Sequence, residues 1–285
     1  MKLLLTGSSG FIGTYFINHY RKKYDIATFS FQNDDLDTLD LEQTDTIVHL
    51  SALVHQMGGA PYEEYEKVNV KQTMDLAQKA KESGVKHFIF MSSVKVYGEE
   101  SNTAYTETTL CKPQDDYGIS KLDAENQLRA MEDENFTVSI LRTPIVYGYG
   151  VKANIQNLIK LVKKIAILPL GDIQNRRTMV YIGNLCALLD KICETQKGGI
   201  FLAGDDHPVS TSDLIKLIAR ELDKSVYLIK IPFFETLLKQ LKPSFHKRLY
   251  ESLEVNNHIT KEILNFDNLY SVEEGIHLMI HGENR

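Results

Sequence analysis

An apolar run near the N-terminus, Lys2-Leu3-Leu4-Leu5, passes directly into Thr6-Gly7-Ser8-Ser9-Gly10-Phe11-Ile12-Gly13. Apolar residues then recur at helical spacing (Phe11, Ile12, Tyr15, Phe16, Tyr20) and predict a helix over 10–20. Few folds accept a strand, a glycine-rich turn and a helix joined this tightly. Glycine allows the turn, lets backbone N–H groups approach a diphosphate, and lets the helix lie close to the strand. The helix N-terminus then directs its partial positive charge at the phosphates. Some βα turns are glycine-rich with no ligand, but this placement favours a dinucleotide site. The spacing is GxxGxxG, not the GxGxxG of many dehydrogenases.

The alternation continues. Strands are predicted over 26–31, 46–50, 87–91 and 138–142, and helices over 69–82, closed by Gly84, and 117–132. Apolar strands separated by helices predict an α/β protein, a doubly wound parallel sheet of Rossmann type covered on both faces. Beyond Gly150 helices over 154–164, 211–222 and 232–241 mix with short strands, which predicts a smaller α/β substrate-binding unit. The expected division is 1–150 plus about 178–203 for the sheet, and 151–177 with 204–285 for the smaller unit.

Charge excludes some functions. With 38 acidic against 32 basic residues, the net charge of -6 argues against a nucleic-acid binder that relies on a basic surface. Apolar runs are strand-sized, so no membrane insertion is expected, and the first run lacks the pattern of a signal peptide. Cys111, Cys186 and Cys193 have no CxxC spacing, so neither a disulfide framework nor a metal site is expected. A reducing, cytoplasmic setting is the expectation.

Four further motifs follow in order: His49-Leu50-Ser51-Ala52; Asn69-Val70 followed by Thr73; Ser92-Ser93-Val94-Lys95-Val96-Tyr97-Gly98; and Tyr117-Gly118-Ile119-Ser120-Lys121. With the glycine turn they resemble the extended short-chain dehydrogenase/reductase family, in its NAD-dependent epimerase/dehydratase branch, over nearly the whole chain. Tyr117 and Lys121 are four apart and share one helix face. A free tyrosine, with a pKa of about 10, is a poor base, but a lysine ammonium and an oxidised nicotinamide nearby favour its phenolate. The resemblance implies that Tyr117 exchanges a proton with a sugar oxygen while the nicotinamide exchanges hydride at the same carbon. Ser93 would hydrogen-bond that oxygen, and Lys121 would also hold the nicotinamide ribose.

The same resemblance places Gly7, Ser9, Gly10, Phe11, Ile12, Gly13, Leu50, Ser51, Ala52, Asn69, Met91, Tyr117, Lys121, Pro144 and Ile145 around the cofactor. Ser30 stands where NAD enzymes carry an acid for the ribose. Serine does not repel a 2′-phosphate, yet no basic residue follows to attract one, so NAD and NADP are both admitted. Asp34, Asp35, Asp37 and Asp40 are candidates for adenine or ribose contacts.

For a UDP-sugar substrate the resemblance implies Ser93 and Lys95 at the sugar, Asn154, Arg177 and Arg248 at the diphosphate, and 167–170, Leu168 included, at the uracil. Arginine suits a diphosphate through paired charge-assisted hydrogen bonds. His55 and Met57 would begin a loop over the sugar, whereas His49 reads as structural or cofactor-adjacent. The 4,6-dehydratases carry Thr-Asp-Glu where this chain has Ser93-Val94-Lys95, so elimination lacks its acids. The stretch 151–185 looks most like bacterial enzymes that reduce UDP-4-keto-6-deoxy-N-acetylhexosamines for surface polysaccharide synthesis. The alternative is a UDP-glucose or UDP-N-acetylglucosamine 4-epimerase. A non-catalytic NAD(P)-sensing protein is a third reading, opposed by the intact Ser93, Tyr117 and Lys121. A homodimer is implied, joined through helices 68–82 and 117–132.

Overall fold

The computed structural model describes residues 1–54 and 60–283. The first half alternates as predicted: β1 (Lys2–Thr6), α1 (Phe11–Tyr20), β2 (Asp25–Phe29), β3 (Thr46–His49), α2 (Tyr62–Tyr65), α3 (Gln72–Glu82), β4 (His87–Ser93), α4 (Asp116–Ala130) and β5 (Thr137–Thr143). The helix expected to start at 69 begins instead at Tyr62 and passes through a π-helical turn, Glu66–Lys71, before α3. That wider turn buries Asn69 and Val70. β2 stops short of Phe31 because the amides of Asn33 and Asp34 both fold back on the Ser30 carbonyl.

The second half contains β6 (Ile145–Tyr147), α5 (Ala153–Lys164), β7 (Ile167–Leu168), β8 (Met179–Tyr181), α6 (Ile182–Thr195), β9 (Gly199–Leu202), α7 (Thr211–Glu221), β10 (Tyr227–Leu228), α8 (Phe234–Leu241), α9 (Pro243–Tyr250), α10 (His258–Leu264) and α11 (Val272–His281). β9 returns to the main sheet, while β6 pairs with β8 and β7 with β10.

The main sheet has six strands in the order β2-β1-β3-β4-β5-β9, every pair parallel. β1 lies between β2 and β3, so the chain leaves it to one side and returns on the other. A crevice opens at such a switch point beyond the C-terminal strand ends, where sheets of this kind hold ligands. Side chains of β1 alternate between two cores, as strand geometry requires. Leu3 and Leu5 pack with Phe16, Leu185 and Leu189, while Leu4 packs with Leu76, Ala124 and Leu128. Each such fully buried side chain contributes about 1.5–3 kcal/mol.

Beyond α11, Glu283 ties the two halves together. Its carboxylate accepts from the hydroxyls of Tyr15 at 2.5 Å and Tyr181 at 2.8 Å and pairs with His19 at 2.8 Å. Among the described residues no helix is long and apolar enough to cross a membrane.

Candidate active site

Asp115 caps α4, its carboxylate accepting from the Gly118 amide at 2.7 Å. An aspartate N-cap fixes where a helix begins, and here it sets Tyr117 in the first turn and Lys121 one turn later. The Tyr117 hydroxyl meets Ser93, the last residue of β4, in a hydrogen bond. The Lys121 ammonium donates to the Met91 carbonyl at 2.9 Å and stands 4.4 Å from the centre of the Phe90 ring. The three expected residues therefore converge at the C-terminal end of β4.

Their electrostatics differ from expectation. Burial pushes Tyr117 up to about 12; its hydrogen bond with Ser93 pulls it down, and the charge of Asp115 adds to the rise. Burial takes Lys121 down to about 7, opposed by the carboxylate of Glu125. In the protein alone Lys121 does not lower Tyr117, and the expected lowering by the ammonium together with an oxidised nicotinamide rests on the bound cofactor. The same low-polarity surroundings that disfavour the phenolate also disfavour the ammonium.

Sequence reasoning missed Glu125. It continues the four-residue spacing of Tyr117 and Lys121 on the same face of α4, which was its available signal. Its carboxylate binds the buried guanidinium of Arg142 on β5 and the Ser92 hydroxyl, so α4 is anchored to both strands beneath the site. Asp115 was also missed, although an aspartate just before a periodic segment marks a helix start.

A cavity of about 630 Å³ is lined by Ser93, Lys95, Tyr117, Pro144, Ile145, Asn154, Arg177, Lys247 and Arg248, among others. Asn154 at the start of α5 and Arg248 on α9, expected together at a diphosphate, touch: the guanidinium donates to Asn154 Oδ1 at 3.2 Å. Arg177 donates to the Glu251 carbonyl at 3.0 Å and to that of Lys247 at 3.4 Å, bracing the end of α9. Lys95 is ion-paired with Asp115 and, at 3.2 Å, with Glu99. Leu168 requires a correction. It is 3% exposed and belongs to the core, because in the two-residue β7 one side chain points out and the next points in; Ile167 is the exposed one.

Gly7 has φ +68°, and a Cβ there would lie 2.9 Å from Leu50 C and Ser51 N. A Cβ on Gly13 would lie 2.3 Å from the Gly7 carbonyl oxygen, so the turn and α1 close on each other only with glycine. Gly10 occupies the N-cap of α1, with no capping side chain and no acid in the first turn. Helix amides left without a side-chain acceptor suit an anionic diphosphate, so the turn fits a dinucleotide. Ser9, Phe11 and Ile12 belong to the same turn, and Leu50, Ser51 and Ala52 follow β3 beside it.

Thr6 Oγ1 accepts from the Ser51 amide at 3.1 Å and meets His49 Nδ1 at 2.8 Å, while His49 Nε2 meets Thr73 Oγ1 at 3.0 Å. Burial drives His49 down to about 3, which keeps it neutral and structural. Asn69, expected at the cofactor, spends its amide on Leu53 (2.8 and 3.0 Å) and Ser120 (3.0 Å), holding the loop after β3 to α4. At the end of β2, Asp34 Oδ2 accepts from the Ser30 amide at 2.8 Å and sets a carboxylate beside the serine. Asp35 and Asp40 instead accept from nearby backbone amides, of Asp37 and Glu42. His55 and Met57 lie outside the described residues.

Residues 3–204 match the family described as the NAD dependent epimerase/dehydratase family. A Vibrio cholerae protein described as UDP-glucose 4-epimerase is 36% identical over 303 residues, covering 96% of this chain and 92% of that one. An Escherichia coli O157:H7 protein described as N-acetyl-alpha-D-glucosaminyl-diphospho-ditrans,octacis-undecaprenol 4-epimerase is 27% identical, covering 81% of this chain and 75% of that one. The crystal structure of a Bacillus cereus UDP-glucuronic acid 4-epimerase in complex with NAD shares the fold, with a TM-score of 0.80 at 21% identity over 99% of this chain and 98% of that one.

Proposed function

This chain belongs to the NAD dependent epimerase/dehydratase family, and we propose that it interconverts the C4 epimers of a UDP-hexose or UDP-N-acetylhexosamine. We take NAD as the cofactor, the one the family's description names, where Ser30 left the choice open. The Asp34 carboxylate beside Ser30 agrees with it, since a 2′-phosphate there would meet a negative charge. Reduction of a UDP-4-keto-6-deoxy-N-acetylhexosamine, the first expectation from sequence, gives way to the epimerase alternative because both relatives described above are 4-epimerases by name.

The observation that carries the reading is the Ser93–Tyr117 hydrogen bond, with Lys121 one turn on, at a cavity that also holds Asn154, Arg177 and Arg248. Tyr117 takes the proton from the C4 hydroxyl and later returns it, and Ser93 holds the same oxygen in line. NAD, held along the glycine turn, supplies the acceptor and donor of hydride at C4. Lys121, close to neutral pH in its titration, charges when the phenolate needs a counter-charge and otherwise orients the nicotinamide ribose. Asn154, Arg177 and Arg248 grip the diphosphate while the sugar turns its other face, so their contribution is binding common to every stage. Lys95, fully engaged by Asp115 and Glu99, offers no acid for elimination.

Within this reading, residues 1–150 and about 178–203 hold the cofactor and the remainder holds the UDP-sugar, in a homodimer joined through α3 and α4. The test is incubation of the purified protein with UDP-glucose or UDP-N-acetylglucosamine, reading products by chromatography and nicotinamide by absorbance. Isomerisation with no net absorbance change is expected. One equivalent of reduced nicotinamide consumed per UDP-4-keto-sugar, with no isomerisation, would restore the reductase.

A further inference from the structure

α8 contains no buried residue. Phe233, Leu237 and Leu241 succeed one another at four-residue spacing and are 85%, 53% and 70% exposed, and Phe245 in the first turn of α9 is exposed beside them. Single apolar residues on a surface are ordinary, but a stripe of large ones along one helix marks a surface that meets something. The charge around the stripe is equally distinctive. From 229 to 248 the chain carries Lys230, Lys239, Lys242, Lys247 and Arg248 against Glu235 alone, in a protein whose net charge is -6. Lys239 and Lys242 make no ion pair among the described residues and lie on the segment that bears the stripe.

We propose that α8 and the start of α9 form a docking surface for an anionic lipid bilayer. An amphipathic helix with phenylalanine and leucine on one side and lysine on the other lies in the headgroup layer with its apolar edge inward. The apolar residues project from a helix none of whose residues is buried, which suits a fluid surface. A second copy meeting this face about a two-fold axis would set the same lysines against one another, whereas phosphate headgroups neutralise them. Docking is peripheral, since no described helix can cross a membrane. It also has a consequence for the cavity: Ser244, Lys247 and Arg248, which line it, belong to α9 and would stand at the headgroup layer.

The test is co-sedimentation of the full protein, without substrate, with vesicles of phosphatidylglycerol and phosphatidylethanolamine or of phosphatidylcholine alone. Each surface lysine contributes about a fivefold gain on an anionic membrane, so Lys239 and Lys242 together predict roughly 25-fold tighter binding to the anionic vesicles. Added salt should weaken it. Leu237→Glu with Leu241→Glu should abolish sedimentation, and Lys239→Gln with Lys242→Gln should remove the preference for anionic lipid. Both variants should keep full turnover of a soluble UDP-sugar. Equal binding to the two vesicle types, or unchanged binding by the glutamate variant, would overturn the proposal. So would a concentration-dependent dimer that the glutamate variant dissolves while the wild type ignores vesicles, which would give the face to a second copy. Because sedimentation is read without substrate, its outcome is independent of whether the protein is an epimerase.

Discussion

Replacing Glu125 with alanine strands a guanidinium in the interior. Glu125 is 1% and Arg142 3% exposed. The carboxylate accepts from Arg142 Nε at 3.0 and 3.2 Å, from Nη2 at 2.5 Å and from Ser92 Oγ at 2.5 Å. Without it Arg142 keeps the Tyr97 hydroxyl at 2.7 Å and the Cys111 thiol, both neutral groups. Removing one member of a buried pair costs about 3–5 kcal/mol, because the other charge stays buried without compensation. At about 1.7 °C per kcal/mol for a chain of 285 residues, Tm falls by roughly 5–8 °C. Glu125→Leu combined with Arg142→Met removes both charges at similar volume and should recover most of that loss. Thermal melts followed by circular dichroism, with urea midpoints as a second measure, check both variants. A loss below about 1 kcal/mol in Glu125→Ala, the range of an exposed pair, would refute the reasoning, as would a double variant no better than the single. A second signature is electrostatic. Glu125 opposes the fall of Lys121, so activity in Glu125→Gln should lose its alkaline limb at a lower pH.

Tyr117→Phe keeps the ring and removes the transferred proton; turnover should drop by about 10²- to 10⁴-fold with NAD retained, and wild-type turnover would remove Tyr117 from the chemistry. Arg248→Ala should raise KM for the UDP-sugar while NAD content and kcat hold, and an equal loss of NAD would place Arg248 elsewhere. Acid should destabilise the fold through its histidines. His49 titrates at about 3 and His87 at about 4 in the folded protein, against 6.5 unfolded, so the unfolded chain binds protons first. Stability from these groups is full above 6.5 and falls towards each folded value, on the order of 1.4 kcal/mol per pH unit for each histidine. Urea midpoints unchanged between about pH 6.5 and pH 4.5 would contradict it.

The first half of the chain was legible because its signals are local. Strands of four to seven residues, the glycine turn and the one-turn spacing of Tyr117 and Lys121 each depend on neighbours in sequence. α6 escaped because ten of its fourteen residues are buried, which leaves no polar face to reveal its period. Asn69 was legible as important and illegible in role: only the folded loop shows its amide consumed by Leu53 and Ser120. Leu168 failed for a similar reason, since a two-residue strand has no pattern of its own and the core that buries Leu168 is assembled from distant segments, Leu228 of the paired β10 among them. Of the four aspartates offered as candidates after β2, Asp34 is the one brought back beside Ser30, by a turn whose hydrogen bonds leave no trace in hydropathy.

The grip of Glu283 on Tyr15 spans 268 residues, and that separation governs when the protein can be finished. Closing so long a loop carries an entropic cost that only assembled packing can offset, and chains rich in such distant contacts fold slowly. At a synthesis rate of about 5–20 residues per second, the interval between making Tyr15 and making Glu283 is roughly 13–54 s. For about a fifth of that time, from the making of Thr143 to that of Gly199, β5 has an open edge, because β9 has not yet been made. The nascent chain would then expose the unpaired backbone of β5 to any neighbouring strand. A chaperone that shields this edge should raise the yield of active protein more than one that acts after release.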